Sequence, residues 1–258
     1  MIIRNRKPYV LSMAILVAVL SFSGHAAAQF TDSMGAAWSQ PLQAYASTAI
    51  WSSIFYRTYN KSGTKTATSR TSNPAVKPSN AATPSRTAAP IDDASLRFRS
   101  SGGYIKTREL ADQLGGTQAE RDQYFKMMNA VLAAFDGQAA KSGRKNDLPS
   151  ALSYFLAENA RIYHGQADLS DAQFFELRNQ IAQALTADGA IRSMSDRQKQ
   201  EMYETLVVYT GLTQYGYEES VKAGNQQMSQ GYQKLAGMNL EAVTKRSPDE
   251  IDLGAIGH

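Results

Sequence analysis

DLPSALSYFLAENARIYHG, residues 147–165, is the stretch whose reading decides the fold. Asp147 stands where a helix N-cap accepts hydrogen bonds from the first turn, and Pro149 follows where a missing N–H leaves nothing unpaired. Gly165 stands where a chain leaves a helix through the left-handed conformation. Between these marks Leu152, Phe155, Leu156, Ile162 and Tyr163 recur at close to 3.6 residues, which predicts a helix with one apolar stripe.

The same grammar repeats on both sides. Thr117-Gln-Ala-Glu120 is a capping-box pattern opening a helix to about Ala140, with Tyr124, Met127, Met128, Val131, Leu132 and Phe135 on one side. Ser170-Asp-Ala-Gln173 repeats it before Phe174, Leu177, Ile181 and Leu185, and Ser195-Asp-Arg-Gln198 does so before Met202, Leu206 and Tyr209. A last helical stretch from Leu212 to Leu235 carries Tyr217, Val221, Met228 and Tyr232. Period-2 alternation is scarce, so the expected fold is all-α, an antiparallel helical bundle of about five helices spanning residues 104–245. Residues 246–258 read as a polar tail, in which Ser247-Pro-Asp-Glu250 forms at most one turn.

Upstream the composition changes three times. Residues 1–28 read as a signal peptide: Arg4, Arg6 and Lys7, an apolar run from Val10 to Phe22, then small residues at Ala26-Ala27-Ala28. The run is too short to span a bilayer, and no other stretch is apolar enough, so no integral membrane segment is expected after cleavage before Gln29. Residues 29–60 hold both tryptophans, Trp38 and Trp51, with Phe30, Tyr45, Phe55, Tyr56 and Tyr59, and no charge from Ser33 to Tyr56. This predicts an aromatic-rich amphipathic helix that must dock on its own body, a second copy, a partner or a membrane surface, since an isolated helix of this length is marginal in water. Residues 61–103 read as a basic spacer rich in Ser, Thr, Ala and Pro, too poor in apolar side chains between Lys61 and Ala89 to order itself.

The 258-residue chain has a net charge of +4. Removing the leader takes three basic residues and leaves 24 basic against 23 acidic, so the basic balance is no nucleic-acid footprint. The absence of cysteine excludes disulfides, thiolate zinc sites and cysteine nucleophiles, and the histidines are only His25, His164 and His258. No phosphate loop, nucleophile elbow, zinc helix or calcium loop occurs. The sequence therefore predicts no metal, no cofactor, no catalytic residue and no nucleic-acid partner.

A few residues stand out as candidate binding positions. His164 ends a helix and reads either as a residue bonding nearby carbonyls or as a base oriented by Glu158 or Asp168. Asn159 falls within an apolar stripe, where its amide either ties elements together or touches a ligand. Gly216, Ser220 and Gly224 recur every fourth residue and read as a smooth strip for close packing or a partner. Trp38, Trp51 and Phe55 are the anchors of the front segment.

The runs Asn146–Leu152, Ile162–Gly165, Ser195–Glu204 and Gly211–Thr213 resemble an uncharacterised family of secreted bacterial helical proteins, a domain of unknown function. The resemblance implies a signal peptide, a Ser/Thr/Pro-rich spacer and a helical domain, and no activity. The expectation is an exported protein, periplasmic or secreted, non-enzymatic, that binds a protein partner or itself. The alternative is a small-molecule-binding or hydrolytic envelope protein with a site between helices near Asn159 and His164.

Overall fold

The computed structural model describes residues 91–253 except Gly189. The leader, the aromatic segment with Trp38, Trp51 and Phe55, the spacer as far as residue 90 and the last five residues lie outside the described residues. The described part is all-α, with seven helices and no strand. In chain order they are α1 (Thr107–Leu114), α2 (Gln118–Lys141), α3 (Leu148–His164), α4 (Asp171–Asp188), α5 (Ala190–Ser193), α6 (Asp196–Lys222) and α7 (Gln226–Thr244). A single 3-10 turn, Pro248–Glu250, follows. No described helix is long and apolar enough to cross a membrane.

The caps lie where the sequence puts them. Thr117 and Glu120 close a full capping box on α2, and Ser195 and Gln198 close one on α6. Ser170 and Gln173 bond reciprocally ahead of α4, each side chain accepting from the other residue's backbone N–H. Asp147 caps α3 by accepting from the Ser150 N–H at 3.0 Å, and Gly165 ends it at φ 64°.

Helix α3 packs against α4, α6 and α7, and thirteen of its seventeen residues are buried. It is therefore a central helix, covered nearly all round, rather than the one-striped surface helix its periodicity suggests. Small residues Ala151, Ser153, Ala157 and Ala160 occupy the positions between the stripe residues, which lets neighbours close in from every side.

One boundary differs from the expectation. Helix α6 runs unbroken through Gly211 and ends at Lys222; the break falls at Ala223-Gly224-Asn225, not before Leu212. Gly224 has φ +66°, and Asn225 caps α7 by accepting from the Met228 N–H. The expected strip of Gly216, Ser220 and Gly224 is thus cut in two. Gly216 sits mid-helix where a Cβ would meet the Tyr232 ring, Ser220 is buried with its hydroxyl donating to the Tyr217 carbonyl, and Gly224 is an exposed turn residue. In an ordinary helix interior Gly→Ala gains about 1 kcal/mol. Gly216→Ala is expected to reverse that sign and lose about 1–3 kcal/mol by overpacking α6 against α7. Urea denaturation of the variant checks this, and a gain in midpoint would show that Tyr232 swings aside.

The packed unit extends past residues 104 and 245. Leu96 and Phe98 are buried in the core, 0% and 7% exposed, and Ile251 and Leu253 are buried at the other end. The upstream strap lies antiparallel to the start of α3: the Leu148 N–H donates to the Leu96 carbonyl at 3.2 Å, and the Phe98 N–H to the Asn146 carbonyl at 3.3 Å. Polar ties hold the same strap. Lys199 Nζ donates to the Ser95 carbonyl at 2.6 Å, and Glu204 Oε2 accepts from the Ile105 and Lys106 N–H groups at 2.8 Å each. Arg178, 1% exposed, makes a two-point contact with buried Asp147 (Nη2–Oδ1 2.6 Å, Nε–Oδ2 3.0 Å) and reaches Asp93 on the strap at 2.6 Å.

Candidate functional site

Helix α3 carries Tyr154, Glu158 and Arg161 on one stripe, since residues three and four apart on a helix are neighbours. Across from them α6 presents Gln214 and Glu218, again four apart, and the loop after α3 supplies Asp168. These side chains form one connected network. The Tyr154 hydroxyl donates to Gln214 Oε1 at 2.6 Å, and Gln214 Nε2 donates to Glu218 Oε1 at 3.0 Å. Arg161 Nε donates to Glu158 Oε2 at 2.8 Å and stands 3.0 Å from Asp168 Oδ1. Its Nη2 is 2.8 Å from Glu158 Oε2 and 3.6 Å from Glu218 Oε1, too far off line for a directed hydrogen bond.

Three carboxylates thus face one guanidinium. Burial pushes the Glu158 carboxyl above the usual carboxylate range, against the pull of Arg161, and Asp168 and Glu218 push it the same way. Arg161 is held further in its cationic form, because its acidic neighbours outweigh its own burial. Burial raises the Tyr154 phenol well above 10, so it remains a donor at every physiological pH. Next to the network lies a cavity of about 40 Å³, walled by Phe135, Tyr154 and Phe174 and bordered by Glu158, Asp168 and Gln214.

The residues singled out from the sequence are not brought together here. Asn159 is fully buried on another side of α3: its Nδ2 donates to the Phe155 carbonyl at 2.7 Å, and its Oδ1 accepts from Asn239 Nδ2 at 2.9 Å. Asn239 also lies 3.3 Å from Thr213 Oγ1, so these polar groups join α3, α6 and α7. His164 is half-buried, edge-on to Tyr163, with Nε2 donating to the Ile251 carbonyl at 3.0 Å. Neither residue lines the cavity, and the two carboxylates considered as partners for His164 both turn to Arg161. Among the described residues no group of His, Asp and Glu side chains is arranged to hold a metal ion.

A family profile matches the chain over residues 5–257, nearly its whole length. The chain belongs to DUF6683, a family of unknown function. The likeness read from the motifs of the body is therefore one of descent, and DUF6683 brings a family without bringing a reaction. No curated protein and no solved structure matches the chain. The site of this DUF6683 chain must accordingly be judged by its own geometry. Its signal in the sequence is an acid and a base three residues apart, Glu158 and Arg161, within a helix whose other inner positions, Asn159 apart, are apolar or small.

Proposed function

We propose that this DUF6683 protein is an exported, non-enzymatic binding protein, in which the aromatic segment 29–60 engages a protein partner or a second copy and the helical body is its carrier. One observation carries the reading: the large hydrophobic side chains exposed on the described body are Val221 and Met238, one on α6 and one on α7. Two such residues do not make an apolar bed. Trp38, Trp51 and Phe55 can each bury about 150–250 Å², and an acceptor for them would be a contiguous patch of several hundred Å². The body's core is already covered by its own strap and tail, which favours docking in trans over docking in cis. Export rests on the basic start, the Val10–Phe22 run and the small residues before Gln29, and places the protein in the periplasm or outside the cell.

Deleting residues 29–60 tests the reading. The expected result is an unchanged melting temperature of the body together with loss of association, followed by sedimentation for self-association and by pull-down with the purified partner for hetero-association. A fall in stability of several kcal/mol would show that the segment covers the body in cis. Both tryptophans lie in the segment, so their emission reports on it directly. Red-shifted emission at every concentration, with and without envelope extract, would end the proposal.

A further inference from the structure

The cavity beside the Glu158–Arg161 network has a composition that selects its occupant. We propose that it binds the ammonium head of a small primary alkylamine, seated between the aromatic walls of Phe135, Tyr154 and Phe174 and held by the carboxylates of Glu158 and Asp168.

Charge gives the sign. Arg161 meets Glu158 through Oε2 and Asp168 through Oδ1, leaving the second oxygen of each carboxylate without a hydrogen bond from the described residues. With Glu218 at 3.6 Å the network holds three acids against one base. Arg144, the cation that also borders the cavity, does not balance it. Arg144 is 3.0 Å from Asp93 Oδ2, and Arg144 and Arg178 together match Asp93 and Asp147. The cavity therefore carries an excess of negative charge, and an anion is disfavoured there. Aromatic faces attract cations through their quadrupole, and Phe135 and Tyr154 lie with ring centroids 5.0 Å apart on this wall.

Size gives the class. A buried water needs about 10–15 Å³ measured in this way, so about 40 Å³ holds some three waters. That room suits an ammonium with a short stretch of alkyl chain. The raised Glu158 carboxyl agrees with a site short of positive charge. A bound cation favours the ionised carboxylate, so binding expels a proton wherever Glu158 is still partly protonated. Affinity rises with pH through that range and falls again only when the amine itself loses its charge. The other groups facing Glu158 are Asp168, Glu218, Arg161 and Tyr154. The first two reinforce this direction, Arg161 opposes it, and the phenol stays neutral throughout.

The test is calorimetric titration of the full chain with n-propylammonium at pH 7, alongside 1-propanol as a neutral isostere and propionate as an anion of similar size. Saturable binding of the amine alone is expected, weakened at least tenfold by Glu158→Gln and several-fold by Asp168→Asn. Asp168 is half-exposed in a loop, so its variant keeps the question open to measurement even if Glu158→Gln fails to fold. Binding of the alcohol as tightly as the amine, indifference of the amine to both substitutions, or no saturable amine binding would each overturn the proposal. All of these readings are independent of residues 29–60, so this proposal and the one above stand or fall separately.

Discussion

A chain begun at residue 104 is expected to lose most of the stability of a chain begun at residue 91. The shorter chain keeps all seven helices but lacks Leu96 and Phe98, which lie in the core against the start of α3 and the ring of Tyr203. Truncating a buried leucine to alanine costs about 2–5 kcal/mol and a buried phenylalanine about 3–5 kcal/mol, against a total stability of about 5–15 kcal/mol for a domain. The deletion also strips the acceptor from Lys199 Nζ and the strap carboxylate from Arg178. Equilibrium urea unfolding of the two chains compares them, and Leu96→Ala in the longer chain is the single-residue version. Matching midpoints would mean that the helices close over the gap by themselves.

Arg178→Met is the second large effect, expected at about 3–5 kcal/mol. Removing one partner of a buried ion pair leaves the other charge uncompensated, and Asp147 is 0% exposed. The remaining bonds to Asp147, from the Ser150 N–H and hydroxyl, solvate the carboxylate without neutralising it. Adding Asp147→Asn should restore part of the loss, because asparagine still caps α3 and carries no charge. Acid titration separates this network from simple packing. Burial of Asp93 opposes its ionisation, but Arg178 and Arg144 outweigh that and hold its carboxyl below 3.8. Asp93 therefore binds fewer protons in the folded state than in the unfolded one, and its contribution is present above about pH 4 and lost as pH falls through the folded value. In Arg178→Met this acid-limb loss should shrink. A variant with the same stability and the same acid limb as the wild type would show that the pair contributes nothing.

The parts of the fold written in the sequence are those decided within a few residues. Thr117 with Glu120, Ser195 with Gln198, and Asp147 with Pro149 fix helix starts by bonds spanning a single turn, and they can be read without knowing anything else. Gly211 and Gly224 show where such reading stops. Both are glycines in helical surroundings; one continues α6, with Val131 packed where its side chain would be, the other ends it with a positive φ, and only the neighbours distinguish them. The strap was hidden for a related reason. Leu96 and Phe98 are two apolar residues in a polar stretch, too short for a period, and their partners Asn146 and Leu148 lie about fifty residues away. The candidate site was hidden in the same way. Tyr154 and Gln214 are sixty residues apart, and nothing local says that they meet. His164 drew notice by its rarity, whereas the unusual electrostatics belong to Glu158, one of many glutamates.

The strap joins the body at the N-cap of α3, by Asp147, and the tail joins it at the other end of the same helix, where Tyr163 donates to Asp249 and His164 to the Ile251 carbonyl. Seventeen residues of α-helix separate these attachments by about 25 Å. Tension entering through residue 91 therefore meets the body first at Asp93, held by Arg178 and Arg144, and then at Leu96 and Phe98, while tension entering through residue 253 meets it at Ile251 and Leu253, at opposite poles of one buried rod. Under load the two latches act in series through α3, and the one that yields first decides from which end the domain comes apart.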